Sequence, residues 1–165
     1  MIEILFLDVD GTLTDGGLFY SNTNDEAKIF NVKDGLGIAV WLKLGKKIAL
    51  ISGKKSPSAE RRAKELGIAE IHLGVEDKKA LALEILEKYH LTPDQAACVG
   101  DDLNDIGLFD LCKESFAPCD CSKWIYHKVK RILGTSGGKG CVREAIEILL
   151  EQEELKEKVI EYFEK

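Results

Sequence analysis

The chain is 165 residues long, 45% hydrophobic and 32% charged, and its 29 acidic against 23 basic residues leave a formal charge of -6 at pH 7. At roughly 100–200 residues per domain, this length predicts one globular domain around one core. No apolar run nears the roughly 18 residues of a membrane helix, no basic region precedes the short apolar N-terminal stretch, and an acidic balance is the wrong field for a general nucleic-acid binder. A cytoplasmic domain with no membrane or nucleic-acid partner is expected.

Ile4-Leu5-Phe6-Leu7 is an unbroken apolar run ending on Asp8. The form recurs in Ile48-Ala49-Leu50-Ile51, which ends on Ser52-Gly53, and in Ala96-Ala97-Cys98-Val99, which ends on Gly100-Asp101-Asp102. Such runs are strands buried on both faces, as in a parallel sheet. After the first run, residues 16–30 place Leu18-Phe19-Tyr20 and Ala27-Lys28-Ile29-Phe30 around a polar stretch, which predicts a protruding β-hairpin. Helices are predicted around 34–44 and 58–66, the latter followed by a further strand. More helices follow on the stripes Ala82, Ile85, Leu86, Tyr89 and Val142, Ala145, Ile146, Leu149, Leu150. The tail, 151–165, sets Leu155, Val159, Tyr162 and Phe163 on one face of a helix that either packs back or meets a neighbouring subunit. Alternating strands and helices predict an α/β fold, a Rossmann-like parallel sheet with helices on both faces. Ligands of such sheets bind beyond the carboxyl ends of the strands, the edge to which three strands deliver Asp8, Ser52 and Asp101.

Asp8 and Asp10 stand two residues apart just past a buried strand, with Asp101, Asp102 and Asp105 at an adjacent strand end. Carboxylates so placed are costly unless a cation or substrate compensates them. An all-oxygen set with no Cys or His close by suits Mg²⁺, which takes few protein ligands and leaves room for a phosphate. For that anion, Ser52 and Gly53 offer a hydroxyl and backbone amides, and Lys78 a point charge. The five cysteines read as reduced thiols; Cys119-Asp120-Cys121 lacks a second ligand pair at zinc spacing.

Together these residues resemble the haloacid dehalogenase superfamily of phosphotransferases. Its DxDGT motif stands as Asp8-Val9-Asp10-Gly11-Thr12, its strand-end Ser or Thr as Ser52, its Lys as Lys78, and its GDDxxD motif as Gly100-Asp101-Asp102-Leu103-Asn104-Asp105. The resemblance implies that Asp8 is the nucleophile, forming an aspartyl phosphate, and Asp10 the general acid and base. It also implies that Asp8, Asp10 (through its backbone carbonyl) and Asp101 bind Mg²⁺ with Asp102 or Asp105 in support, and that Ser52 and Lys78 hold the phosphoryl group.

Members of the superfamily often carry a cap domain inserted between these motifs. The 41 residues between Asp10 and Ser52 and the 25 between Ser52 and Lys78 are filled by the predicted elements, so no cap domain is expected. Within the superfamily the chain resembles the capless 3-deoxy-D-manno-octulosonate 8-phosphate (KDO-8-phosphate) phosphatases. The resemblance rests on residues 15–20 and 30–38, Ser52-Gly53-Lys54, and Gly137-Gly138-Lys139-Gly140-Cys141-Val142-Arg143-Glu144. It implies a sugar-acid phosphate substrate, a step of lipopolysaccharide precursor synthesis, and a homotetramer in which a neighbour closes each site. Lys54, Arg62 and Lys139 are candidates for reading the sugar acid; Lys54 and Lys139 stand where relatives often have Arg. Nine-carbon sialic-acid-type 9-phosphates are the rival substrates, and an oligomerisation module with vestigial activity is the rival class.

Overall fold

The structure, a computed structural model, describes residues 1–23 and 26–164. Six parallel strands form the sheet in the order β5-β4-β1-β6-β7-β8. They are β1 (Ile4–Leu7), β4 (Lys47–Ser52), β5 (Glu70–Leu73), β6 (Ala96–Val99), β7 (Glu114–Ala117) and β8 (Arg131–Ile132). The chain runs from β1 outward to β4 and β5, then returns to β6 on the other side, so β1 lies at the point where strand order reverses. Alternate side chains of β1 supply two cores. Leu5 and Leu7 pack with α1 (Val32–Lys43), α2 (Pro57–Glu65) and α5 (Cys141–Gln152), whereas Ile4 and Phe6 pack with α3 (Lys78–Lys88) and α4 (Ile106–Leu111). Helices therefore cover both faces, as expected, and no cap domain interrupts the described residues.

Local chemistry fixes the helix starts. Asn31, Ser56 and Asp77 each accept an N–H of the first turn that follows them, and Pro57 opens α2 where its missing N–H costs nothing. The Asp77 cap makes Lys78 the first residue of α3 and aims it at the strand ends. Trp41 is fully buried under α1 and donates its Nε1–H to the Lys47 carbonyl at 2.9 Å.

The protruding hairpin pairs β2 (Phe19–Tyr20) with β3 (Glu26–Ala27); its expected turn includes Asn24 and Asp25, which lie outside the described residues. The tail folds back as α6 (Lys156–Phe163), with Leu155 and Val159 against the main core and Tyr162 under the Lys43 ammonium, 3.7 Å from its ring centre. All five cysteines are free thiols and only Cys119 is exposed. No described helix is long and apolar enough to cross a membrane.

Candidate active site

Beyond β1 the chain delivers Asp8, 4% exposed, whose N–H donates to the Val99 carbonyl of β6 at 3.1 Å. A single turn, Val9–Leu13, follows and is closed by Thr14. The Thr14 N–H donates to the Val9 carbonyl at 3.0 Å, and its hydroxyl oxygen accepts from the N–H groups of Gly11 and Gly16. Gly11 has φ +88°, and a Cβ on it would stand 2.0 Å from Asp101 Oδ2. Glycine is therefore what lets the Asp101 carboxylate close over the Asp8–Asp10 turn.

Asp8, Asp101 and Asp105 each bring a carboxylate oxygen within 4.8 Å of the other two, the one such acid cluster among the described residues. The Lys78 ammonium enters it, donating to Asp8 Oδ1 at 2.6 Å and to Asp105 Oδ1 at 2.7 Å. Asp105 is fully buried and accepts the Asp101 N–H on Oδ2 at 2.9 Å, so it also shapes the loop after β6. Burial and the Asp105 charge push Asp8 up to about 7. Burial, then the charges of Asp8 and Asp105, push Asp101 up to about 8. Burial works against the Lys78 charge, but Asp8 and Asp105 outweigh it and hold its pKa above the ordinary value. This crowded, all-oxygen donor set fits a hard divalent cation, whose charge would offset the carboxylate repulsion.

The other expected residues fall in two groups. Ser52, buried at the end of β4, accepts the Lys54 N–H on Oγ at 3.3 Å and through its carbonyl holds Val75 at 3.0 Å. Gly53 is exposed beside Val75 and Asn104, and α2 starts only at Pro57, so the amides after Ser52 belong to a loop rather than to the helix. Asp102 is exposed and turned onto the Leu103 N–H at 2.7 Å, outside the acid cluster. Lys54 reaches Glu26 of the hairpin at 2.6 Å. Arg62 lies on the seam between α2 and α1, its guanidinium over Gly35 and 3.8 Å from Glu65. Lys139 is exposed, its N–H on the Ser136 carbonyl at 3.2 Å.

Three features escaped the sequence reading. Lys28, whose side chain is wholly shielded, donates to Asp10 Oδ1 at 2.5 Å and stands 2.9 Å from Glu26 Oε1. Glu26 lies in β3 and Lys28 just past its end, and the two-residue spacing that puts strand side chains on one face is the one available hint. The hydrogen bonds from Lys54 and Lys28 hold the Glu26 carboxyl down at about 2. Buried Asp34 of α1 accepts the Arg143 N–H on Oδ1 at 2.8 Å, capping α5 from outside. Gly137 and Gly138, just before α5, lie against the backbone of the Asp8–Asp10 turn, with the Gly138 N–H on the Thr12 carbonyl at 2.9 Å.

A parallel sheet whose central strand carries Asp8, between strands ending at Ser52 and Asp101, is the architecture of haloacid dehalogenase-like hydrolases, and the model of that family matches residues 33–109. The chain is 37% identical over 150 residues to the 3-deoxy-D-manno-octulosonate 8-phosphate phosphatase KdsC of Haemophilus influenzae, covering 91% of this chain and 83% of that protein. It belongs to the KDO-8-phosphate phosphatase family. The Escherichia coli K12 KdsC is 36% identical over 149 residues, 90% of this chain and 79% of that one. The phosphatase of Moraxella catarrhalis, solved with magnesium, phosphate and KDO, superposes with a TM-score of 0.95 at 32% identity, covering 98% of this chain and 93% of that one.

Proposed function

We propose that the chain is a Mg²⁺-dependent phosphatase that hydrolyses KDO-8-phosphate to KDO and inorganic phosphate through an aspartyl phosphate on Asp8. The observation that carries this reading is the buried cluster of Asp8, Asp101 and Asp105 around Lys78 at the reversal of strand order, in a chain 37% identical to a KDO-8-phosphate phosphatase. Asp8 and Asp101 hold the metal together with the Asp10 backbone carbonyl, and Asp105 supports them. Bound there, Mg²⁺ neutralises charge on the phosphoryl oxygens and lets the Asp8 carboxylate approach phosphorus.

In the first step an Asp8 oxygen bonds to phosphorus while the bond from phosphorus to the sugar oxygen breaks. Its electron pair goes to that oxygen, which takes a proton from the Asp10 carboxyl. In the second step Asp10 takes a proton from the attacking water, phosphate leaves and Asp8 is regenerated. Ser52, Gly53 and Lys78 bind the phosphoryl oxygens throughout, the part of phosphoryl transfer on which most of the acceleration depends.

Lys54, Arg62 and Lys139 are assigned to recognition of the sugar acid. The unit is a single cytoplasmic catalytic domain, and four copies assemble so that one copy's hairpin and C-terminal segment close the next copy's site. The exposure of Phe19, Tyr20 and Ile29 on the hairpin and of Tyr162 and Phe163 on the tail supports that assembly.

Phosphate release measured with Mg²⁺ on a panel of KDO-8-phosphate, a nine-carbon sugar-acid 9-phosphate and hexose phosphates tests the reading. The expected result is the highest kcat/KM for KDO-8-phosphate. A higher value for the nine-carbon acid, no preference for sugar acids, or no turnover would overturn the assignment.

A further inference from the structure

We infer that Lys28, on the hairpin, is a positioning residue for the Asp10 carboxyl during protonation of the leaving sugar oxygen; this rests on the proposed role of Asp10. Each acid of the Asp8–Asp10 pair has its own lysine: Lys78 reaches Asp8 from α3, and Lys28 reaches Asp10 from the end of β3. A lysine side chain with no exposed surface is rare unless paired. Two carboxylates hold the Lys28 ammonium, Asp10 at 2.5 Å and Glu26 at 2.9 Å. Glu26 is in turn fixed by Lys54 at 2.6 Å, so an ionic chain runs from the loop after Ser52, across the hairpin, to Asp10.

The geometry assigns one job to each Asp10 oxygen. Lys28 occupies Oδ1, which leaves Oδ2 to face the substrate. The proton on Oδ2 moves to the departing sugar oxygen as the bond to phosphorus breaks. The negative charge then left on the Asp10 carboxylate develops next to a fixed ammonium, where it is stabilised without reorganisation. In this role Lys28 acts through Asp10, to which its ammonium is bound. Lys28 arrives on the hairpin, so the position of the hairpin fixes the position of the Asp10 carboxyl.

The test exploits leaving-group basicity. A sugar alkoxide needs a proton to leave, whereas p-nitrophenolate does not. Steady-state kcat and KM are measured for the wild type, Lys28→Met, Lys28→Arg and Asp10→Asn on KDO-8-phosphate (or on the alkyl phosphate the wild type turns over fastest) and on p-nitrophenyl phosphate. Lys28→Met is expected to lower kcat on the sugar phosphate about 100-fold and on the aryl phosphate by less than about fivefold. Lys28→Arg is expected to recover at least about tenfold of the loss. Should Lys28→Met show no thermal unfolding transition, Lys28→Gln carries the same comparison. Equal losses on both substrates, or a raised KM at unchanged kcat, would overturn the inference. If Asp10→Asn is itself unselective, the reading of Asp10 fails and takes this inference with it; a selective Asp10→Asn beside an unselective Lys28→Met refutes the inference alone.

Discussion

Gly137→Ala tests how the segment before α5 supports the Asp8–Asp10 turn. A Cβ at residue 137 would stand 2.0 Å from the Gly11 carbonyl oxygen, 2.7 Å from its carbon and 3.0 Å from the Thr14 carbonyl oxygen. All three are backbone atoms, so no side chain can swing aside. Restoring ordinary contact at 3.4 Å requires the two backbones to part by about 1.4 Å, and overpacking of this kind costs about 1–3 kcal/mol. The same shift stretches the Gly138-to-Thr12 hydrogen bond at 2.9 Å and the bond from the Gly137 N–H to Asp120 Oδ1 at 2.9 Å, adding about 1 kcal/mol. A loss of about 2–4 kcal/mol lowers Tm by about 5–15 °C in a chain of this size. Displacing the turn that carries Asp8 and Asp10 by about 1 Å costs roughly 100-fold in kcat/KM. Gly134→Ala is the control, since a Cβ there meets nothing nearer than Glu144 Oε1 at 3.5 Å; its effect should stay within about 0.5 kcal/mol. Differential scanning fluorimetry and phosphate release read both quantities, and a Gly137→Ala protein with wild-type Tm and activity would refute the reasoning.

Burial and repulsion from neighbouring carboxylates raise Asp8 and Asp101 from 3.8 to about 7 and about 8, so the stability they contribute is full below pH 3.8, falls as pH rises from there, and is gone once pH has passed 8. In chelator, Tm should therefore fall between pH 6 and 9, and Mg²⁺ should raise Tm more at pH 9 than at pH 6; a metal effect independent of pH would contradict this. At the far edge of the sheet burial alone would raise the Glu70 pKa, but hydrogen bonds from Lys88, Tyr89 and His72 outweigh it and hold the group at about 2. Its contribution, about 2 kcal/mol after allowance for the exposed Lys88, is present above pH 4.5 and lost as pH falls toward 2. In urea titrations Glu70→Gln should cost that amount at pH 7 and much less at pH 3. Asp34→Ala removes the external cap of α5 and should cost about 2 kcal/mol by the same titration; an unchanged unfolding free energy would contradict that role.

The strands that carry the site were legible because β1, β4 and β6 are buried on both faces and read as unbroken apolar runs. The strands β7 and β8 were not. β7 contains buried Ser115, whose hydroxyl oxygen accepts the Lys130 N–H at 2.9 Å, and β8 has only Arg131 and Ile132. In the site, spacing alone marked Asp8, Asp101 and Asp105 because each ends or follows a strand. Lys28 and Asp34 could not be read that way. Their partners Asp10 and Arg143 lie 18 and 109 residues away, and only the seating of the hairpin and the packing of α1 on α5 bring them together.

The central claim, that Asp8 carries phosphate from KDO-8-phosphate to water, is tested most directly by trapping. KDO-[³²P]8-phosphate is mixed with excess enzyme and Mg²⁺, quenched in acid within the first turnover, and the protein is digested. Label released by hydroxylamine and confined to the peptide containing Asp8, absent in Asp8→Asn, is the predicted result. Label on another residue, or undiminished turnover by Asp8→Asn, would contradict it.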